Sequence, residues 1–159
     1  MGKIKAVHII TKLELGGAQI NTIYTYENLN KTKFESYLLC GPDGILTEKV
    51  NEKDRLIILK NLVREINLIK DFKALLQLRK ILRKIKPDVV HTHSSKAGFL
   101  GRLAASLLKI PVVIHSVHGF PFSPFQSFLK RRFFLLMEQV ASRFTTFFVF
   151  VSNDDIEIA

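Results

Sequence analysis

Six short apolar runs with little internal polar alternation, each followed by a stretch of helical spacing or a turn, constrain this chain more than any other feature. Residues 4–10, 34–40, 55–59, 89–92, 112–117 and 146–151 read as strands. A strand with one face in water alternates apolar and polar residues, so runs that do not alternate are strands covered on both faces. Between them, residues 18–29, 46–52, 70–84, 97–108 and 124–143 carry helical spacing, the second of these only briefly. Strand and helix in alternation predict an α/β fold, a Rossmann-like doubly wound parallel sheet. Pro87 and Pro111 fall just past two predicted helix ends, and Gly41-Pro42-Asp43-Gly44 reads as a turn. At 159 residues and 47% hydrophobic content, one core and one domain over 1–159 are expected. Ser152-Asn153-Asp154-Asp155 reads as the start of a helix close to the last residue, Ala159, which suggests a piece of a longer protein.

In open parallel sheets ligands bind beyond the carboxyl ends of the strands, and three loops there carry chemistry. His93-Ser94-Ser95-Lys96-Ala97-Gly98 follows the fourth strand and opens a helix of small residues. Backbone N–H groups, two hydroxyls and a lysine thus meet at one edge, which suits an anion. Gly16-Gly17-Ala18 follows the first strand; glycine lets a ligand approach the backbone closely, although a tight turn would require it as well. Val117-His118-Gly119-Phe120 follows the fifth, with Phe120-Pro121-Phe122 as an apolar wall. A neutral imidazole at His118 can donate and accept hydrogen bonds, as holding a sugar requires, or can simply close the loop.

Other chemistries are disfavoured. The first loop lacks G-x-G-x-x-G, the second strand ends in Leu38-Leu39-Cys40 rather than an acid, and no phosphate-loop motif is present. His91, His93, His115 and His118 could suggest a metal, since residues two apart share a strand face, but no neighbouring carboxylate or cysteine completes a set. His91 and His115 fit hydrogen-bonded core histidines, and no metal is expected. The lone Cys40 fits a small buried hydrophobe in a reducing compartment.

A net charge of +10 calls for anionic partners: nucleic acid, an acidic membrane surface or phosphorylated substrates. Residues 70–86 hold seven Lys or Arg against one acid, Asp71, with Leu75, Leu78, Leu82 and Ile85 as the predicted buried stripe. The basic residues then lie opposite, on a solvated face or one that meets an anionic surface. In the 124–143 helix and just beyond it, Leu129, Phe133, Leu136, Met137, Val140 and Phe144 predict a core stripe. Phe128, Phe134 and Leu135 flank it beside Lys130, Arg131 and Arg132, a combination that fits an anionic bilayer or burial against a second domain. With no membrane-length apolar run and no signal-type start, the expected location is cytoplasmic, with peripheral attachment to the inner face of the cell membrane as an extension.

Taken together, these pieces resemble the N-terminal half of a family 4 glycosyltransferase of the GT-B fold, of the bacterial capsular or exopolysaccharide type. The resemblance spans essentially the whole chain and rests on Gly16-Gly17-Ala18, His91 through Gly98 with Gly101-Arg102-Leu103-Ala104-Ala105, His115 through Phe120, and Val151-Ser152 before Asp155. It implies a retaining, metal-independent hexosyl-type transfer from a nucleotide sugar to a saccharide acceptor, often lipid-linked, without cofactor or nucleic acid. It also implies a C-terminal donor-binding domain that these 159 residues do not include, so that the chain by itself would not turn over. By the family pattern His118 contacts the transferred sugar. The Gly16-Gly17 loop approaches donor phosphates or acceptor, and His93, Ser94, Ser95, Lys96, Gly119 and Phe120 line the substrate. Gln19 departs from the pattern, in which many relatives carry Glu. A stand-alone nucleotide- or phosphate-binding module and a membrane-associated scaffold are the non-catalytic alternatives.

Overall fold

The computed structural model describes residues 2–119 and 127–158. Strands β1 (Ile4–Ile10), β2 (Phe34–Cys40), β3 (Leu56–Ile58), β4 (Val89–His93), β5 (Val112–Val117) and β6 (Phe147–Phe150) form one sheet in the order β3-β2-β1-β4-β5-β6, every pairing parallel. The connecting helices are α1 (Gly17–Asn28), α2 (Leu68–Ile85), α3 (Ser95–Leu107) and α4 (Phe128–Ser142), with two short 3₁₀ turns before β3 and α5 (Asn153–Ile158) after β6. This is the doubly wound order in which the chain reverses direction between β1 and β4, so the loops leaving those two strands flank a natural crevice. The sheet is the one the non-alternating runs predict.

One face of the sheet is packed more heavily than the other. Val7, Ile9, Leu39, Val90 and Val113 meet Ala74, Leu78, Leu82 and Ile85 of α2 and Ala97, Ala104 and Ala105 of α3. Each fully buried leucine here contributes about 1.5–3 kcal/mol. The opposite face packs Ile10, Leu38 and Cys40 against Tyr26 of α1 and Leu46 and Val50. Cys40 is buried as expected, and burial pushes its thiol up to about 12. Glycine sets how close α3 lies to the sheet: a Cβ on Gly98 would come within 2.5 Å of the His115 ring, and one on Gly101 within 2.7 Å of Thr92 Cγ2.

α2 begins at Leu68, two residues before the periodicity places it, because Asn67 caps it. The Asn67 side chain accepts from the Lys70 N–H, and the Asn67 N–H donates to Asp71. The helix ends where Lys86 turns left-handed, ahead of Pro87. Its buried stripe is Ala74, Leu78, Leu82 and Ile85; Leu75 is only partly buried. The outer face is not purely basic, since Leu68, Ile69, Phe72 and Leu76 are exposed among the lysines.

The predicted core stripe of α4 needs correction. Leu129 is 80% and Leu136 59% exposed, Phe133 and Val140 are exposed too, and Ala141 is the helix's buried residue among those described. Periodicity records that a helix has an apolar face, not that something covers it. β6 is likewise open, with Phe147 and Val149 exposed.

Candidate functional site

The crevice is built at the ends of β1, β4 and β5. Ser94, between β4 and α3, has φ 62° and ψ 154°, a backbone region that favours glycine. Thr11 at the end of β1 holds it there: the Thr11 N–H donates to Ser94 Oγ at 3.2 Å, and the two hydroxyls are 2.8 Å apart. The Thr11 hydroxyl also accepts from the Ala97 N–H at 3.1 Å, so a residue from β1 caps α3. Lys96 points elsewhere, pairing with Asp71 at 2.7 Å and with the Glu65 carbonyl, which fastens α2 to α3. Gly16 has the extended φ of 173°, open to any residue, and a Cβ on Gly17 would meet nothing within 4 Å. The backbone dihedral does not require Gly16, but a Cβ there would come within 2.6 Å of Gln19 Oε1, whereas open space beside Gly17 leaves room for a ligand.

A cleft of about 180 Å³ gathers the three loops, lined by Ala18 from the first, Ser94 and Ser95 from the second, and Ser116, His118 and Gly119 from the third. Gly119 has φ 95°, which supplies the backbone freedom a turn needs after His118. Burial lowers the His118 pKa, with the charge of Asp155 partly opposing, so its imidazole is neutral at pH 7. Phe120 lies outside the described residues. His93 is buried behind the cleft, and Lys130, Arg131 and Arg132 lie exposed on the first turns of α4 without lining it.

Glu138, the one acid of α4, also lines the cleft, and no sequence motif marks it. It pairs at 2.7 Å with Arg102, whose side chain is 0% exposed. Arg102 also donates to the Gly98 carbonyl at 2.9 Å. Burial lowers the Arg102 pKa and Glu138 opposes that shift. The Gly-Arg-Leu-Ala-Ala stretch is thus where α3 grips α4 and sets one wall of the site.

All five histidines of the chain lie on β1, β4 and β5 or directly after β5. His8 is opposite His91 in the β1–β4 ladder, and His93 follows on the same face. Ring centroids are 5.3 Å apart for His8–His91, 4.2 Å for His91–His93 and 5.8 Å for His8–His93. His91 Nε2 is 2.8 Å from Ser116 Oγ, and His93 Nδ1 is 3.4 Å from His118 Nε2. On the other face His115 Nδ1 is 2.9 Å from Thr92 Oγ1, the hydrogen-bonded core arrangement expected of it. Burial is the main cause that pushes His8 and His115 down to about 3 and His91 to about 4, and it lowers His93 well below its ordinary value. His8 escapes sequence reasoning because it sits 83 residues before His91. Laying β1 beside β4, as the doubly wound order requires, is the step that would have found it.

Fold and crevice define one half of a GT-B architecture, and comparison with known proteins agrees. The model of glycosyltransferase family 4 matches residues 15–158. The chain is 39% identical over 156 residues to the UDP-Gal:alpha-D-GlcNAc-diphosphoundecaprenol alpha-1,3-galactosyltransferase of Escherichia coli, covering 98% of this chain and 40% of that protein. It is 29% identical over 127 residues to the capsular polysaccharide biosynthesis glycosyltransferase CapM of Staphylococcus aureus, covering 80% of this chain and 32% of CapM. Among solved structures, Anabaena Alr3699/HepE in complex with UDP and glucose superposes with a TM-score of 0.69 at 14% identity, over 91% of this chain and 37% of that one. The chain belongs to glycosyltransferase family 4 and corresponds to its N-terminal domain.

Proposed function

We propose that this domain forms the acceptor side of a retaining, metal-independent glycosyltransferase. The enzyme would move a hexosyl unit from a nucleotide sugar to a lipid-linked saccharide in cell-surface polysaccharide synthesis. The observation that carries the reading is the cleft at the chain-reversal point, where Ser94, Ser95, Ser116 and His118 converge beside the open space at Gly17. The diphosphate acceptor in the name of the Escherichia coli relative and the nucleotide in the HepE structure support the substrate classes.

In this proposal the bond from the sugar's anomeric carbon to the nucleotide diphosphate breaks, an acceptor hydroxyl forms the new bond to that carbon, and its proton passes to the departing diphosphate. His118, neutral and half-buried, donates to a hydroxyl of the transferred sugar; Ser94 and Ser95 hold the acceptor; the Gly16-Gly17 loop lets phosphate or acceptor approach the backbone. A second domain holds the nucleotide.

A lipid-linked acceptor places the enzyme at the inner face of the cell membrane, and two exposed surfaces suit that position. One is Leu68, Ile69, Phe72 and Leu76 with Lys70 and Lys73 on α2; the other is Phe128, Leu129 and Leu136 with Lys130, Arg131 and Arg132 on α4. Among the described residues no helix is long and apolar enough to cross a membrane, so the proposed attachment is peripheral. The test is transfer of labelled sugar, from a panel of nucleotide sugars, to an undecaprenyl-diphosphate saccharide by the protein with its donor domain. Transfer that persists in EDTA supports the reading. Absence of transfer from every donor, or transfer abolished by EDTA and restored by a divalent ion, overturns it.

A further inference from the structure

The buried polar groups of the sheet leave one anomaly. His8 is 2% exposed, and among the described residues neither of its ring nitrogens has a hydrogen-bond partner; the Nε2 of His93, 1% exposed, has none either. Buried polar atoms are nearly always paired, and an orphan costs about 1–3 kcal/mol. One ring nitrogen of His8 and the Nε2 of His93, on adjacent strands of a well-packed sheet, call for a common partner. His8 and His93 also belong, with His91, to a tight group in which each residue can offer one ring nitrogen within 4.8 Å of the others.

We propose that His8, His91 and His93 form a binding site for a divalent transition metal of the zinc class, set beneath the crevice and bridging β1 to β4. Three neutral imidazoles with no carboxylate form the donor set that suits zinc, nickel or copper rather than magnesium or calcium. The remaining nitrogens are arranged as such a site needs. His91 has Nε2 committed to Ser116, which leaves Nδ1 for the metal, and His93 has Nδ1 beside His118, which leaves its orphan Nε2. On His91 and His93 that second contact fixes ring orientation and tautomer, whereas His8 has none among the described residues. Donors on one tetrahedral ion stand roughly 3.3 Å apart, so the rings have to close by an ångström or so from their present spacing, a side-chain movement. His91 is only partly buried and supplies the way in. The ion ties two strands together and takes no part in sugar transfer, so this proposal stands independently of the proposed activity.

The experiment uses the untagged protein, stripped of metal and titrated with zinc chloride by calorimetry, with cobalt(II) as a spectroscopic probe and thermal unfolding as a second readout. The variants are His8→Leu and His91→Ala. One zinc per chain, bound at about 10 µM or tighter, is expected, with a melting rise of about 5 °C or more at a hundredfold excess over Kd. Cobalt should show the visible bands of a tetrahedral nitrogen-bound ion. Both variants should lose binding and the melting rise. His8→Leu keeps the test readable, because removing an orphaned buried imidazole leaves the metal-free protein at least as stable as before. Absence of stoichiometric zinc binding in the native protein, or undiminished binding in both folded variants, overturns the site.

Discussion

Replacing Glu138 by alanine removes the only carboxylate that the fully buried Arg102 guanidinium pairs with, among the described residues. Breaking a buried ion pair by deleting one partner costs about 3–5 kcal/mol, because the remaining charge stays buried without compensation. Two features put this case at the low end. Glu138 is itself 13% exposed, so water can reach the vacated position, and Arg102 keeps its bond to the Gly98 carbonyl and a longer one of 3.4 Å to Thr145. The expected loss is about 3 kcal/mol, a fall in Tm of roughly 6–12 °C for a domain of this size. Urea unfolding read by circular dichroism, with calorimetry alongside, measures it. The double variant Arg102→Met with Glu138→Met removes both charges and should recover most of the loss, since a buried pair adds little over apolar residues of similar volume. A loss below about 1 kcal/mol, or a double variant no more stable than Glu138→Ala, would show that α3 and α4 are not held together as described.

Two further outcomes follow from the buried histidines and the exposed faces. His8 and His115 have folded pKa values near 3, below about 6.5 in the unfolded chain, so the unfolded state binds more protons below pH 6.5 and stability is lost as pH falls through that point. The slope per histidine starts at about half of 1.4 kcal/mol per pH unit at pH 6.5 and approaches that value below it, so the two together cost about 2 kcal/mol between about pH 6.5 and 5.5. Urea midpoints in EDTA at the two pH values check this, and equal midpoints would contradict the buried neutral assignment. On membranes, sedimentation with phosphatidylglycerol vesicles should exceed that with neutral vesicles and fade in high salt, at about 1 kcal/mol per well-placed basic residue. Changing Lys130, Arg131 and Arg132 to Ser locates the contact on α4 if binding drops, and on α2 if it does not. Negligible binding to both vesicle types rejects the membrane surface.

Much of the fold was legible because the inner strands β1, β2, β4 and β5 are largely buried and carry little polar alternation; β2 and β5 have the predicted bounds. The error on α4 has a definite cause. Leu129, Phe133 and Leu136 repeat at the interval of a core-facing helix, yet their exposure depends on what else is present, which local sequence does not encode. The cleft was partly legible, since Ser94, Ser95 and His118 follow strand ends and the doubly wound order brings strand ends together. Lys96 was misleading: at a helix start it reads as an anion ligand, but Asp71, 25 residues away, claims it. His8, Thr11 and Glu138 were missed because each acts through a contact made across the sheet or between helices, with no motif around it.

The central claim is that the cleft around His118 transfers sugar to a lipid-linked acceptor. Its most direct test compares native protein and His118→Ala, each with the donor domain, for initial rates of label transfer from a nucleotide sugar to an undecaprenyl-diphosphate saccharide. The melting curve of each protein is recorded in parallel. Losing one hydrogen bond used in the transition state, worth roughly 1.4 kcal/mol or more, should slow turnover about 10-fold or more while Tm stays unchanged. Equal rates in the two proteins with equal melting curves would contradict the account and leave His118 a residue that closes a loop.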